Sequence, residues 1–291
     1  VKALIDSGAD MVVLDARRFD EYQTMSIPGA INVPGAELVL HARSLAPSAT
    51  TRIVVNCADR TRSIIGIQSL VNAGIPNPVC ALRNGTMGWS LAGLELEHKA
   101  DKRFGEVKDA DRQKAAASAL ALLFRAGVQR IDTQDLQVLL NDNTRNTYVF
   151  DVRSPEEYAL GHLHGARSAP GGQLVQETDH YVGVRGARVV LYDDDGVRAS
   201  MTASWLAQMG WETYVLKNLQ PGDLHDTSVF DHSLPEPLAP VAVVDPVTLK
   251  EWLANRSNLS MVIDVGDSTT YVKRHIRSEE HTSELQSPMF I

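Results

Sequence analysis

The sequence predicts an α/β protein built from tandem copies of one unit, each a parallel sheet with helices on both faces. Three observations predict it: a gapless internal repeat, strands alternating with helices inside each copy, and a glycine closing the matching helix in the first two copies. The stretch VVLDARRFDEYQTMSIPGAINVP, ending at Pro34, aligns with YVFDVRSPEEYALGHLHGARSAP, ending at Pro170. Asp15 matches Asp151, Arg17 Arg153, Glu21 Glu157, Tyr22 Tyr158, Gly29 Gly165, Ala30 Ala166 and Pro34 Pro170, every pair 136 residues apart. A third copy begins at MVIDVGDSTTYVKRHI, where Asp264 precedes Tyr271 by seven residues, and stops at Ile276.

Each copy opens on a helical stretch (3–7, 133–141 and 246–255), and the third has Asp245 as a plausible N-cap before Pro246 at the first helical position. A short β-branched run follows (11–14, 148–150 and 261–263). Next come a second buried strand (52–56 and 188–192), a loop, and an amphipathic helix (63–73 and 199–209). Gly74 and Gly210 stand where a left-handed residue ends such a helix. A third strand spans 79–82 or 213–216. The segment 98–130 is charged, then alanine-rich, and reads as a linker entering a helix that docks on the second unit. SLPEPLAP, 233–240, reads as a semi-rigid extended spacer.

The expected organisation is therefore a first unit at 1–97, linker and docking helix at 98–126, a second unit at 127–232, a spacer at 233–240 and a partial third unit at 241–276. Val1 falls inside the first helix of its unit, which reads as a truncation. After Ile276 the repeat predicts Pro-Gly-Ala, but the chain continues RSEEHTSELQS, the translation of a common sequencing adapter. Residues 277–291 therefore read as a non-native tail with neither strand nor helix.

With 44% hydrophobic and 22% charged residues among 291, the chain has the composition of a globular protein of about two domains. No apolar stretch approaches the ~20 residues of a membrane span. A net charge of −8 argues against a nucleic-acid partner. Cys57 and Cys80 cannot make a disulfide framework, and no Cys/His spacing suits zinc, so no metal or cofactor is expected and a reducing cytoplasm fits.

The chemistry concentrates at Cys57, which the strand 52–56 delivers to a turn before a helix. At that edge of a parallel sheet, turn N–H groups and the helix N-terminus point at one spot. Together with Arg60 and Arg62 they would hold a thiolate, lowering its pKa below the usual ~8.5, or an anionic substrate. The plainer alternative is a small buried thiol; two arginines in the same loop favour the reactive one.

The loop from Cys57 to Arg62-Ser63, DARRFDEY at 15–22, IPGAINVP at 27–34 and LRNGTMGW at 82–89 together resemble the rhodanese family of sulfurtransferases, across roughly residues 1–276. The resemblance implies a thiosulfate sulfurtransferase in which Cys57 attacks the outer sulfur of thiosulfate or a related donor and becomes a persulfide. Cyanide or a thiol then collects the sulfur. Ala58, Asp59, Arg60, Thr61, Arg62 and Ser63 would form the substrate-binding loop. Only four residues separate Cys57 from Arg62, a smaller ring than the phosphate-binding loop of tyrosine phosphatases. The alternative is a persulfide carrier or regulatory protein that hands sulfur to a protein partner.

The second copy carries Asp193 where the first has Cys57, followed by Asp194, Asp195, Gly196, Val197 and Arg198. A carboxylate cannot form a persulfide, so this unit should be inert, its aspartates read as solvated turn residues rather than metal ligands. Cys80 reads as a core thiol, and Arg17 and Arg153 as local partners of Asp15 and Asp151. Gly85, Gly88 and Trp89 read as a packed turn, and His162 and His164 as non-catalytic. Glu21 occupies the position where some two-domain relatives place a basic residue.

Overall fold

Each predicted β-branched run is apolar toward both faces, and helices cover both, so the runs assemble as parallel strands. The computed structural model describes residues 1–228, 242–255, 260–264, 274–276 and 280–281. The first domain runs α1 (Lys2–Asp6), β1 (Met11–Asp15), α2 (Phe19–Thr24), β2 (Ile31–Asn32), α3 (Leu38–Leu45), β3 (Arg52–Asn56), α4 (Thr61–Asn72), β4 (Val79–Ala81) and α5 (Gly85–Leu91). Its parallel sheet has the order β2-β1-β3-β4.

After α6 (Asp109–Arg125), the second domain runs β5 (Gln129–Ile131), α7 (Thr133–Asn141), β6 (Thr147–Asp151), α8 (Pro155–Leu160), β7 (Arg167–Ser168), α9 (Gly171–Gln176), α10 (Thr178–Tyr181), β8 (Arg188–Tyr192), α11 (Arg198–Gln208) and β9 (Glu212–Leu216). Its sheet, also parallel, has the order β5-β9-β8-β6-β7. Gly74 and Gly210 end α4 and α11 with φ of +68° and +88°, as their position demands.

Alternation along each strand divides the core into two halves. Leu14, Ile53 and Val55 pack with Leu38 and Leu70 on one face, while Val13 and Val54 pack with Tyr22, Ile27 and Trp89 on the other. The second domain repeats this with Phe150, Val189 and Leu191 against Val149, Val190 and Tyr192.

Four expectations need correction. α6 does not dock on the second domain alone: Ala115, Ala119 and Leu122 pack with Leu38, Val39 and Ala42 of the first domain and with Val197 and Met201 of the second. Leu123 faces the second domain's own core. The small alanines let α6 approach α3 and α11 closely, so the helix is shared. Residues 129 and 130, at the end of the segment 98–130 that reads as linker and helix, belong with Ile131 to a strand because they pair with β9. The turn expected around Gly85, Gly88 and Trp89 is the helix α5.

The two domains lie in one compact body, Val1–Phe230, and the rest of the chain, Asp231–Ile291, forms another. Within the first, glycines allow backbone contact between domains: a Cβ on Gly172 would sit 3.1 Å from the Gly35 nitrogen. Trp205 Nε1 donates to Ser69 Oγ at 2.8 Å, and these residues are themselves repeat mates.

In the second body, Asp245 caps α12 (Pro246–Ala254), accepting from the N–H groups of Val247 and Thr248 at 2.9 and 3.1 Å. β10 (Ile263–Asp264) pairs in parallel with β11 (Glu280–His281), in the register of β1 with β2. The fourth correction is therefore that the stretch after Ile276 contributes a two-residue strand. The spacer 233–240, Tyr271 and residues 277–279 and 282–291 lie outside the described residues.

Substituting Ala119, fully buried between α3 and α11, tests the shared helix. Ala119→Leu keeps helix propensity but overpacks the junction and should destabilise the folded chain by about 1–3 kcal/mol. Urea unfolding followed by tryptophan fluorescence measures it, because Trp205 lies at the domain junction.

Candidate functional site

Parallel strands bring β1 and β3 side by side, so Asp15 lies opposite Asn56 and directly beside the start of the Cys57 loop. Asp15 is fully buried and forked by Arg17, whose Nε and Nη2 donate at 2.9 and 2.7 Å. Arg17 Nη2 also donates to the Met25 carbonyl at 2.7 Å, which ties α2 to the strand end. Asp151 and Arg153 repeat the pair at 3.0 and 2.6 Å, with Gly161 as the carbonyl acceptor. Both arginines therefore act as the local partners expected of them.

A relay of hydrogen bonds carries this anchor to the loop. Asn56 Nδ2 donates to Asp15 Oδ2 at 2.9 Å and to Thr86 Oγ1 at 3.1 Å. Thr86 in turn donates through its N–H and its hydroxyl to the Cys57 carbonyl at 2.9 and 3.1 Å. The Met87 N–H holds the Ala58 carbonyl at 3.0 Å. This seat requires Gly85: its φ is +52°, and a Cβ there would lie 2.3 Å from the Cys57 carbonyl oxygen.

Cys57 follows β3 directly and is only 2% exposed, with its Sγ donating to Ser63 Oγ at 3.4 Å. Ser63 is buried in the first turn of α4 and donates to the Arg60 carbonyl at 2.9 Å. Ala58 is half-buried, while Asp59, Arg60 and Thr61 are exposed. No side chain caps the N-terminus of α4.

The two loop arginines separate. Arg60 donates from Nε to Asn84 Oδ1 at 3.2 Å on the exposed side. Arg62 points inward and forks Glu21 at 2.5 and 2.8 Å, with Nη1 also 3.4 Å from Gln173 Oε1 of the second domain. Burial works against the Arg62 charge, but Glu21, and beyond it Cys57 and Asp15, hold its pKa above the ordinary value. Burial likewise raises Glu21, and Arg62 more than reverses this, lowering it.

In the second domain Arg198 replaces Arg62 and Glu157 replaces Glu21, paired at 2.7 and 3.0 Å. Of the aspartates expected to be solvated, Asp194 is exposed, but Asp193 is only 8% exposed. Its carboxylate accepts from the N–H groups of Gly196 and Ala199 at 2.9 and 2.8 Å. Asp195, whose side chain is fully buried, accepts from those of Val197 and Arg198 at 2.6 and 3.2 Å. Burial, reinforced by Asp195, pushes the Asp193 carboxyl well above the usual range. Arg198 also binds Asp194, Asp195 and, across the domain junction, Glu37 at 3.0 Å. This loop fills its own anion site.

The remaining candidates take structural places. Cys80 is half-buried on the edge strand β4, packed against the face that holds Trp89. His162 is buried, its Nδ1 at 3.0 Å from the Tyr158 carbonyl oxygen, and stacks on the Tyr158 ring. His164 is exposed beside Asp226. Among the described residues no His/Cys/Asp/Glu group is arranged to hold a metal ion. Sequence reasoning missed Asn56, Thr86, Glu37 and Gln173; the last two are repeat mates, so the repeat itself held the signal.

A family profile for the rhodanese-like domain matches residues 1–92 and 132–218. Among solved structures, the chain is similar to a thiosulfate sulfurtransferase from Pseudomonas aeruginosa, with 56% identity and a TM-score of 0.81 over 96% of this chain and 53% of that one. The chain thus spans about half the length of that relative. The 3-mercaptopyruvate sulfotransferase SseA from Escherichia coli matches at 17% identity and a TM-score of 0.32, covering 75% of this chain and 95% of that one. A search of curated protein sequences finds no match.

Two outcomes check this geometry. Gly85→Ala combines a left-handed strain with a backbone clash and should cost at least about 1–2 kcal/mol by thermal unfolding. Burial alone would raise Glu157, but hydrogen bonding to Arg198 lowers it to about 2. The pair therefore stabilises the fold above the ordinary glutamate pKa of ~4.3 and loses that contribution as pH falls through about 2. In Glu157→Gln the drop in unfolding free energy on acidification should shrink, by no more than about 1 kcal/mol because 34% of the side chain faces water.

Proposed function

The chain belongs to the rhodanese-like domain family, and from that premise we propose that it is a thiosulfate sulfurtransferase whose nucleophile is Cys57. The observation that carries the reading is the placement of Cys57 at the N-terminal end of α4, in a loop without a side-chain cap and beside Arg62. A helix N-terminus and a guanidinium in the same loop suit an anionic persulfide without any metal.

In the first half-reaction the Cys57 thiolate attacks the outer sulfur of thiosulfate. The sulfur–sulfur bond of the donor breaks, sulfite leaves with the bonding pair, and Cys57 becomes a persulfide. In the second, cyanide or a thiol attacks the terminal sulfur and Cys57 leaves as thiolate, so the enzyme returns unchanged. The loop from Ala58 to Ser63 binds the donor, with Arg62 opposite its negative charge. Asp193 excludes the same chemistry from the second domain. The two free thiols suit a reducing cytoplasm, and no helix among the described residues is long and apolar enough to cross a membrane.

Cys57→Ser should abolish thiocyanate formation from thiosulfate and cyanide, whereas Cys80→Ser should retain most of it. Intact mass after incubation with thiosulfate should show one added sulfur atom on the Cys80→Ser protein and none on the Cys57→Ser protein. A persulfide without cyanide turnover would instead mark a carrier that passes sulfur to a protein acceptor, and no added sulfur would reject the reading.

A further inference from the structure

We propose that Gln173, contributed by the second domain, is a positioning residue of the Cys57 site: its neutral amide holds Arg62 without cancelling the positive charge that meets the donor. The inference rests on the sulfurtransferase reading and deepens it. Gln173 is 7% exposed and its amide is oriented, because Nε2 donates to Glu177 Oε1 at 3.2 Å. The carbonyl oxygen is thereby turned to Arg62 Nη1, 3.4 Å away. Arg62 is the loop cation directly before Ser63, whose Oγ lies 3.4 Å from the Cys57 sulfur. The nominally inert domain thus reaches the reactive loop through one side chain.

Comparison of the two domains shows why the residue type matters. The repeat mate of Gln173 is Glu37, which makes the reciprocal contact with Arg198. Around Arg198 stand four carboxylates, those of Glu37, Glu157, Asp194 and Asp195. Around Arg62 the corresponding shell contains Glu21, with Gln173 in place of the cross-domain carboxylate. A dianionic donor is repelled by an excess of carboxylates and accepted where the guanidinium is only singly paired. The loop that keeps cysteine faces glutamine, and the loop that lost it faces glutamate.

The test compares Gln173→Glu and Gln173→Ala in a Cys80→Ser background. Cys57 is alkylated with iodoacetate, an anion, and with iodoacetamide, its neutral analogue, and KM and kcat are measured for thiosulfate. One added charge at this range should lower the iodoacetate-to-iodoacetamide rate ratio about threefold or more in Gln173→Glu. KM for thiosulfate should rise by a similar factor with kcat nearly unchanged. Gln173→Ala should keep the rate ratio but raise KM, because Arg62 loses one anchor and no charge is added. Thermal unfolding confirms that both variants fold. A ratio in Gln173→Glu equal to that of the parent overturns the inference. If the parent protein transfers no sulfur, the sulfurtransferase reading fails by itself, and the alkylation ratio still decides the role of Gln173.

Discussion

At the end of the central strand of each sheet a turn leads into a helix N-terminus, whose unsatisfied backbone N–H groups call for negative charge. The rest of the architecture follows from how each domain meets it. In the second domain Asp193 and Asp195 accept from the turn and close it. In the first, a thiol occupies the place of Asp193 and no side chain caps the following helix. The two loops differ in backbone as well as in side chains, Arg60 at φ −138° against its repeat mate Gly196 at φ +74°, so one repeat position serves a self-satisfied loop and a loop that suits an external anion.

Behind both turns lies the same buried charge pattern. Asp15 with Arg17, and Asp151 with Arg153, lock the end of the first strand to the helix that follows. Buried pairs of this kind offset much of their attraction by desolvation, so their value lies in fixing geometry more than in stability. The relay from Asp15 through Asn56 and Thr86 to the Cys57 carbonyl shows that use. It positions the Cys57 backbone and leaves the sulfur to the loop.

The domain junction joins the two loops. Arg62 reaches Gln173 while Arg198 reaches Glu37, and Trp205 meets its own repeat mate Ser69. Close backbone approach at Gly35 and Gly172 and the alanine face of α6 make these contacts possible. The domain with Asp193 is thereby well placed to support the loop that holds Cys57.

The repeat made most of the fold legible. Matching residues at one spacing located the strands, both central helices with their closing glycines, and the loop holding Cys57, because local patterning and turn chemistry are written residue by residue. The ion-pair partners Asp15–Arg17 and Asp151–Arg153 were legible for the same reason: they are neighbours in the chain. What the amino-acid order alone determined was thus each unit by itself, together with the exchange of cysteine for aspartate. Only the tertiary structure decided that α6 is shared, that Asp193 and Asp195 are buried acceptors, and that Gln173 and Glu37 cross to the opposite loop. Those contacts join residues more than a hundred positions apart or depend on burial, and neither periodicity nor propensity reports which surfaces meet.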